Sequence, residues 1–184
     1  NSIFGKILKF DLINRTYNIY SKGHRNPQGL IVYNNHIIST EHGPRGGDEI
    51  NLILENKNYG WPIASYGDLY SRQVSKDKSL ESFEYADHEN NFEEPIFTFI
   101  PSIAISEIIN IDTRFSKKFK NNFFICSLGA RSLFRVKFSS NFSRLIFYEK
   151  IYIGERIRDI KYSVLNNKYI LALEDGSIGL VGPL

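Results

Sequence analysis

The chain has 184 residues, enough to bury a sizeable core without a disulfide or metal, and room for one or two domains. Its 23 Lys and Arg against 20 Asp and Glu leave a formal charge of +3, scattered and interrupted by acids, which argues against nucleic-acid binding. Cys126 is the single cysteine, so a disulfide framework or thiolate metal cluster within one chain is excluded, and no membrane-length apolar run appears.

Phe4 to Phe10 reads as a strand, Asp11 to Arg15 as a turn and Thr16 to Tyr20 as the return strand. The polar segment from Gly23 to Leu30 then leads into an apolar strand, Leu30 to Tyr33. Asn34-Asn35 can turn, and His36 to Thr40 can return antiparallel. That hairpin brings Gly23-His24-Arg25-Asn26-Pro27-Gln28-Gly29 and Glu41-His42-Gly43-Pro44-Arg45-Gly46-Gly47-Asp48-Glu49 to one rim. Glycine and proline there let bare backbone approach a ligand, while Arg25, Asn26, Asp48 and Glu49 supply charge and amides. On composition alone the two ends also read as a pair of surface turns.

Ile50 to Leu54 is a short apolar strand, Glu55 to Asn58 a turn, and Tyr59-Gly60-Trp61-Pro62 a rigid aromatic loop that glycine and proline keep out of helix or central strand. Between Ala64 and Glu94 the pattern is lost, and a long loop excursion over one face is expected. Pro95 to Ile100 recovers strand character and Pro101 ends it. Ile103 to Ile111 follows, with a break at Ser106-Glu107, and Ser116 to Lys120 is a basic loop. Phe123 to Cys126 predicts a buried strand that hides the thiol. After a turn at Leu128 to Arg131 come Ser132 to Phe138, Leu145 to Ile153, Arg156 to Lys161, Tyr162 to Leu165, Tyr169 to Leu173 and Ile178 to Val181. Asn166-Asn167 and Glu174-Asp175-Gly176-Ser177 supply the later turns. Short strands, Asn and Gly turns and no amphipathic helix predict antiparallel sheet. Gly129 and Gly176 open similar hairpin halves, separated by roughly the 40–50 residues of one propeller blade.

Arg156 and Arg158 lie two apart in an expected strand, so both side chains leave the same face. Paired guanidiniums repel unless an anion or a carboxylate sits between them, and their forks suit planar carboxylates. An outer sheet face with neighbouring Glu or Asp satisfies the same requirement. Of the histidines, His24 and His42 frame the polar ends, His36 reads as a core or rim residue, and His88 reads as solvated. Phosphate loops, dinucleotide-binding glycine patterns, His-Glu-x-x-His segments and nucleophile elbows are all missing.

Three stretches in this order carry a resemblance: Gly-His-Arg-Asn-Pro-Gln-Gly from Gly23, Glu-His-Gly-Pro-Arg-Gly-Gly-Asp-Glu-Ile-Asn from Glu41, and Asn-Tyr-Gly-Trp-Pro from Asn58. Together they resemble the glucose/sorbosone dehydrogenase family, soluble quinone-dependent aldose dehydrogenases built on a six-bladed β-propeller. The resemblance covers nearly the whole chain and about the C-terminal half of such a protein. It implies an all-β fold, a partial propeller of about three to four blades over 1–184, with the loop excursion at 64–94. It further implies oxidation of an aldose at the anomeric carbon to a lactone, with pyrroloquinoline quinone (PQQ) and calcium as cofactors and an external electron acceptor. By resemblance, Arg25, Asn26, Arg156 and Arg158 hold the quinone. The carbonyls of Gly43 and Pro44 ligate its calcium, and Asp48, Glu49 and Tyr59 belong to a further calcium-related site. A periplasmic or secreted location is implied as well.

Two positions depart from the family pattern. Ser127-Leu128-Gly129 stands where a Ser-Leu-Lys run supplies a cofactor-reaching lysine, and Phe99 stands where tryptophan is common. The family takes its general base from a His-Asp segment of its N-terminal half, and no His-Asp pair occurs here, so the chain alone is expected to be inactive. It is also expected to need a missing N-terminal half or self-association. The alternative reading is a non-catalytic propeller that binds carbohydrate or protein.

Overall fold

The computed structural model describes residues 2–68, 88 and 91–183. Among the described residues, thirteen strands form four antiparallel sheets: β1 (Lys6–Asp11) with β2 (Thr16–Lys22); β3 (Pro27–Tyr33), β4 (His36–Glu41), β5 (Asp48–Ile53) and β6 (Phe97–Phe99); β7 (Ile105–Asn110), β8 (Asn122–Ser127), β9 (Ser132–Phe138) and β10 (Leu145–Tyr152); and β11 (Ile157–Ser163), β12 (Lys168–Leu173) and β13 (Ile178–Val181). Each sheet is an up-and-down meander, with strands adjacent in space in the order they occur in sequence. Among the described residues the only helical element is a 3₁₀ turn, Lys117–Phe119, in the basic loop. The fold is all-β, a partial β-propeller of about three to four blades, as expected.

Turn chemistry sets the hairpins. Asn34 and Asn35 both adopt positive φ, 47° and 63°, which matches the twist of the flanking strands and closes Tyr33 onto His36. The break expected at Ser106-Glu107 is a register irregularity between Ile105 and Ile108. Two expectations differ. The strand expected to start at Leu30 begins at Pro27, the first-residue position that tolerates a missing N–H. Tyr162 to Leu165 is not a separate element: β11 runs on to Ser163, because Tyr162 and Ser163 pair with Tyr169 and Lys168 before the chain turns.

Blades stack through apolar faces. Along β8 the side chains alternate between two cores: Phe123 and Ile125 join Ile38, Ile50 and Ile105, while Phe124 and Cys126 join Ile157, Tyr169 and Leu171. This explains the uninterrupted apolar run of β8, which is buried on both sides. Cys126 is fully buried, and burial pushes its thiol well above its ordinary pKa.

A line of hydroxyls joins the leading ends of β3, β7 and β11. The Thr40 Oγ1 accepts from Gly29 N at 3.0 Å and donates to the Ser106 carbonyl at 2.5 Å, and Ser106 Oγ donates to the Ile157 carbonyl at 2.7 Å. Residues just ahead of those strands, Arg25-Asn26, Pro101 to Ala104 and Arg156, therefore share one rim.

Because Phe123 is 1% exposed and meets Tyr33, Phe138 and Phe142 ring to ring, Phe123→Ala should lower the unfolding free energy by about 3–5 kcal/mol. Leu165→Ala, at a side chain 97% exposed, should change it little. Denaturant titration of both variants checks this, and equal effects would contradict the stacked-blade core.

Candidate functional site

Asp48 builds the first part of the rim. Its carboxylate, fully buried, accepts four hydrogen bonds: from Gly43 N (3.1 Å) at Oδ1, and from Ser102 Oγ (2.7 Å), Ile103 N (2.9 Å) and Ile105 N (3.1 Å) at Oδ2. It thereby ties the glycine-rich loop to the loop before β7. Gly43 has no room for a side chain, since a Cβ would lie 2.0 Å from the Gly46 carbonyl oxygen and 2.4 Å from that of Gly47.

Beneath the loop lies a buried polar layer. The His24 ring, 0% exposed, meets Ser21 Oγ at 2.8 Å and Glu41 Oε2 at 3.2 Å, and stacks on Tyr59 at 4.6 Å. Tyr59 is fixed at both ends of its hydroxyl, donating to the Leu52 carbonyl at 2.5 Å and accepting from Leu54 N at 2.9 Å, and burial pushes it up to about 12. Of its oxygens, the main-chain carbonyl is thus the one left to face a cation. Glu49 is 6% exposed; one oxygen accepts from Asn51 Nδ2 at 3.1 Å, and the other lies 3.9 Å from His88 Nε2. Burial, then the negative charge of Glu41, pushes its carboxyl up to about 8.

Arg25 sits over this layer. Its Nη1 donates to the His42 carbonyl at 3.1 Å and its guanidinium lies 5.3 Å from the Trp61 ring centroid. Arg25 Nε and His42 Nε2 are buried without a hydrogen-bond partner among the described residues. The neighbouring Asn26 is exposed and accepts from Gln28 Nε2 at 2.9 Å. Arg25, Glu41, Gly43, Glu49 and Tyr59 enclose about 10 Å³, room for a water or a cation and far too little for a quinone or sugar.

The structure brings Arg25, Gly43, Glu49 and Tyr59 around one cleft, with Pro44 buried beside it. Arg156 and Arg158 are not in it. They stand at the leading end of β11, beyond β7, and both engage Glu174. His88, expected to be solvated, is 1% exposed, stacked on Tyr66 at 5.0 Å and close to Glu49. Glu41, a principal member of the buried layer, was not anticipated as a site residue; its signal is a charged residue closing an apolar strand directly before the glycine loop. Most of the expected excursion, 69–87 and 89–90, lies outside the described residues.

The two departures from the family pattern have structural reasons. Phe99 is a core ring, packed edge-on against Phe97 and Phe134. At Gly129 a Cβ would stand 2.9 Å from the Ile103 carbonyl oxygen, which also accepts from Gly129 N at 2.9 Å, so a lysine here requires the backbone to shift.

Meandering antiparallel sheets that stack through apolar faces, with a bare glycine loop and buried carboxylates at one rim, define a partial β-propeller. Residues 10–181 match the family described as Glucose / Sorbosone dehydrogenase, and the chain belongs to that family. It is 32% identical over 165 residues to the aldose sugar dehydrogenase YliI of Escherichia coli, covering 88% of this chain and 42% of that protein. To the quinoprotein glucose dehydrogenase B of Acinetobacter calcoaceticus it is 42% identical over 81 residues, 37% of this chain and 17% of that one. A crystal structure of a glucose dehydrogenase superposes with a TM-score of 0.78 at 28% identity, over 96% of this chain and 53% of the other. The chain spans about half the length of these relatives or less.

Two outcomes test the site. Asp48→Ala strands three N–H donors, two of them buried, so the unfolding free energy should fall by about 3 kcal/mol or more; a loss below about 1 kcal/mol would show the two loops are held otherwise. Glu49 keeps its proton in the folded state up to about 8 but ionises near 4.5 when unfolded, so the folded state binds more protons between those values. In chelator, stability should therefore fall as pH rises from about 4.5 to 8, and Glu49→Gln should flatten that slope in thermal melts.

Proposed function

We propose that this chain is the cofactor-gripping part of a PQQ-dependent aldose sugar dehydrogenase. The observation that carries the reading is the cation-sized cleft beneath Arg25. A buried carboxyl without enough donors, Glu49, faces bare backbone at Gly43, and two buried nitrogens above it, Arg25 Nε and His42 Nε2, lack partners. Donor and charge chemistry both fit an anionic cofactor seated on a hard cation.

In this reading the carbonyls of Gly43 and Pro44 ligate calcium under the cofactor. Glu49 and the Tyr59 carbonyl serve the further cation, and Asp48 braces the loop that presents them. Bound at the rim, the quinone would accept the hydride from the sugar's anomeric carbon, giving a lactone, and pass the electrons to an external acceptor. Arg25 would polarise a quinone carbonyl, Asn26 would donate or accept at the cofactor and sugar edge, and Arg156 with Arg158 would take the quinone carboxylates. The His-Asp base is supplied from outside this chain, so the chain alone binds without turnover. Exposed apolar residues on the β1–β2 hairpin, Phe4 (87%), Leu12 (87%) and Ile13 (91%), support a need for further blades or a second copy. No helix among the described residues is long and apolar enough to cross a membrane; a periplasmic or secreted setting is our reading from the family.

A non-catalytic binding propeller is the second reading, and one observation favours it: Glu174 already fills the arginine pair. Calorimetric titration with PQQ decides. We expect micromolar or tighter binding in calcium, its loss in chelator, and weakening by about ten- to a hundredfold in Arg25→Ala. No binding in calcium, by this chain and by a longer protein supplying the remaining blades, would overturn the enzyme reading.

A further inference from the structure

The arginine pair at the leading end of β11 is already occupied by the protein itself. Glu174 directly follows β12, and its N–H donates to the Arg156 carbonyl at 2.9 Å, which continues the β11–β12 ladder beyond the Ile157–Leu173 pairing. The backbone thus holds Glu174 opposite the pair. Its two oxygens are divided between the two guanidiniums: Oε2 receives Arg156 Nε, and Oε1 receives Arg158 Nη2 at 2.7 Å. The next acidic residue, Asp175, is turned away to Ser177, whose N–H and Oγ donate to it at 2.9 and 2.7 Å.

One carboxylate between two guanidiniums leaves a net positive charge at the cluster. The side chains are 37–49% exposed, so each ion pair is hydrated and weak. A weak internal carboxylate held by strand register is easily displaced by an anion that offers two or more carboxylates at once. A monocarboxylate gains nothing over what Glu174 already provides.

We infer that Glu174 is a specificity-determining residue, a built-in competitor that admits polycarboxylate ligands to Arg156 and Arg158 and screens out monoanions. This rests on the reading that the pair receives the carboxylates of the quinone. Glu174 acts through the arginines and touches no reacting atom. Its removal strengthens anion binding at the pair while weakening the discrimination between multivalent and monovalent anions.

The test is calorimetric titration of the full chain and of Glu174→Gln with citrate, acetate and, in calcium, PQQ, with thermal melts to show both are folded. Glu174→Gln should bind citrate about tenfold more tightly than the parent chain. Its citrate-to-acetate preference should shrink, and its gain should vanish when Arg156→Gln and Arg158→Gln are added. In the parent chain, the NMR signal of the Arg156 Nε–H should shift as citrate displaces Glu174. Equal citrate affinities, no citrate binding by the variant, a gain that survives loss of both arginines, or an unmoved Nε–H signal would each overturn the inference. The PQQ arm separates the two readings. A citrate gain with no PQQ binding by either protein, nor by the longer protein supplying the remaining blades, leaves the competitor standing and removes the quinone reading. Equal PQQ affinities in the two proteins, with binding intact, remove the competitor alone.

Discussion

The rim depends on one buried carboxylate. Asp48 collects four donors from two loops that are more than fifty positions apart in sequence, and the bonds from Ile103 N and Ile105 N are made inside the protein, where a lost partner is not readily replaced by water. A charged residue at 0% exposure is tolerable only under those terms. What it secures is placement: the bare Gly43 backbone is set against the Ser102–Ile105 segment, and hence against the leading end of β7.

Asp48 and Glu49 are consecutive and both buried, yet their chemistry diverges. Asp48 has a donor for nearly every lone pair. Burial first, and then the negative charge of Glu41, outweigh the single amide donor at Glu49, so its carboxyl holds its proton far above the ordinary range. The difference follows from strand alternation, which sends the two side chains to opposite faces of β5. One face meets the loop backbone; the other meets the polar layer with His24, Glu41 and Tyr59.

Much of this was legible in the sequence because the signals were local. Asn34-Asn35 announced its turn by tolerance of positive φ, and the apolar run of β8 announced burial on both faces, Cys126 included. That Arg25 and Gly43 would meet at one cleft was readable because the expected hairpin brings the two polar, glycine-rich ends together. Residues whose role depends on distant partners were not readable. His88 looks solvated among charged neighbours and is buried against Glu49. Glu41 gains its meaning from the side-chain contact with His24, and the hairpin pattern in the sequence brings the two segments together without giving that contact. The sharing of Glu174 by Arg156 and Arg158 likewise arises from the pairing of β11 with β12.

The two groups of arginines at the rim are prepared in opposite ways. Arg25 is held by the His42 carbonyl and the Trp61 ring and keeps a buried Nε without a partner among the described residues, so a ligand that reaches it repairs an unmet bond. Arg156 and Arg158 are half-exposed and neutralised in part by Glu174, so a ligand there must replace bonds that already exist. In the proposed reading, affinity would then come mainly from the Arg25 side and selection from the β11 side. Gly129 fits this division. Its contact with the Ile103 carbonyl leaves no room for a side chain there, so in the proposed reading no lysine at this position would reach the ligand. The spacing of the two groups across β7 is held by the Thr40–Ser106–Ile157 line of hydrogen bonds. Recognition at the rim is therefore coupled directly to how the blades are stitched together.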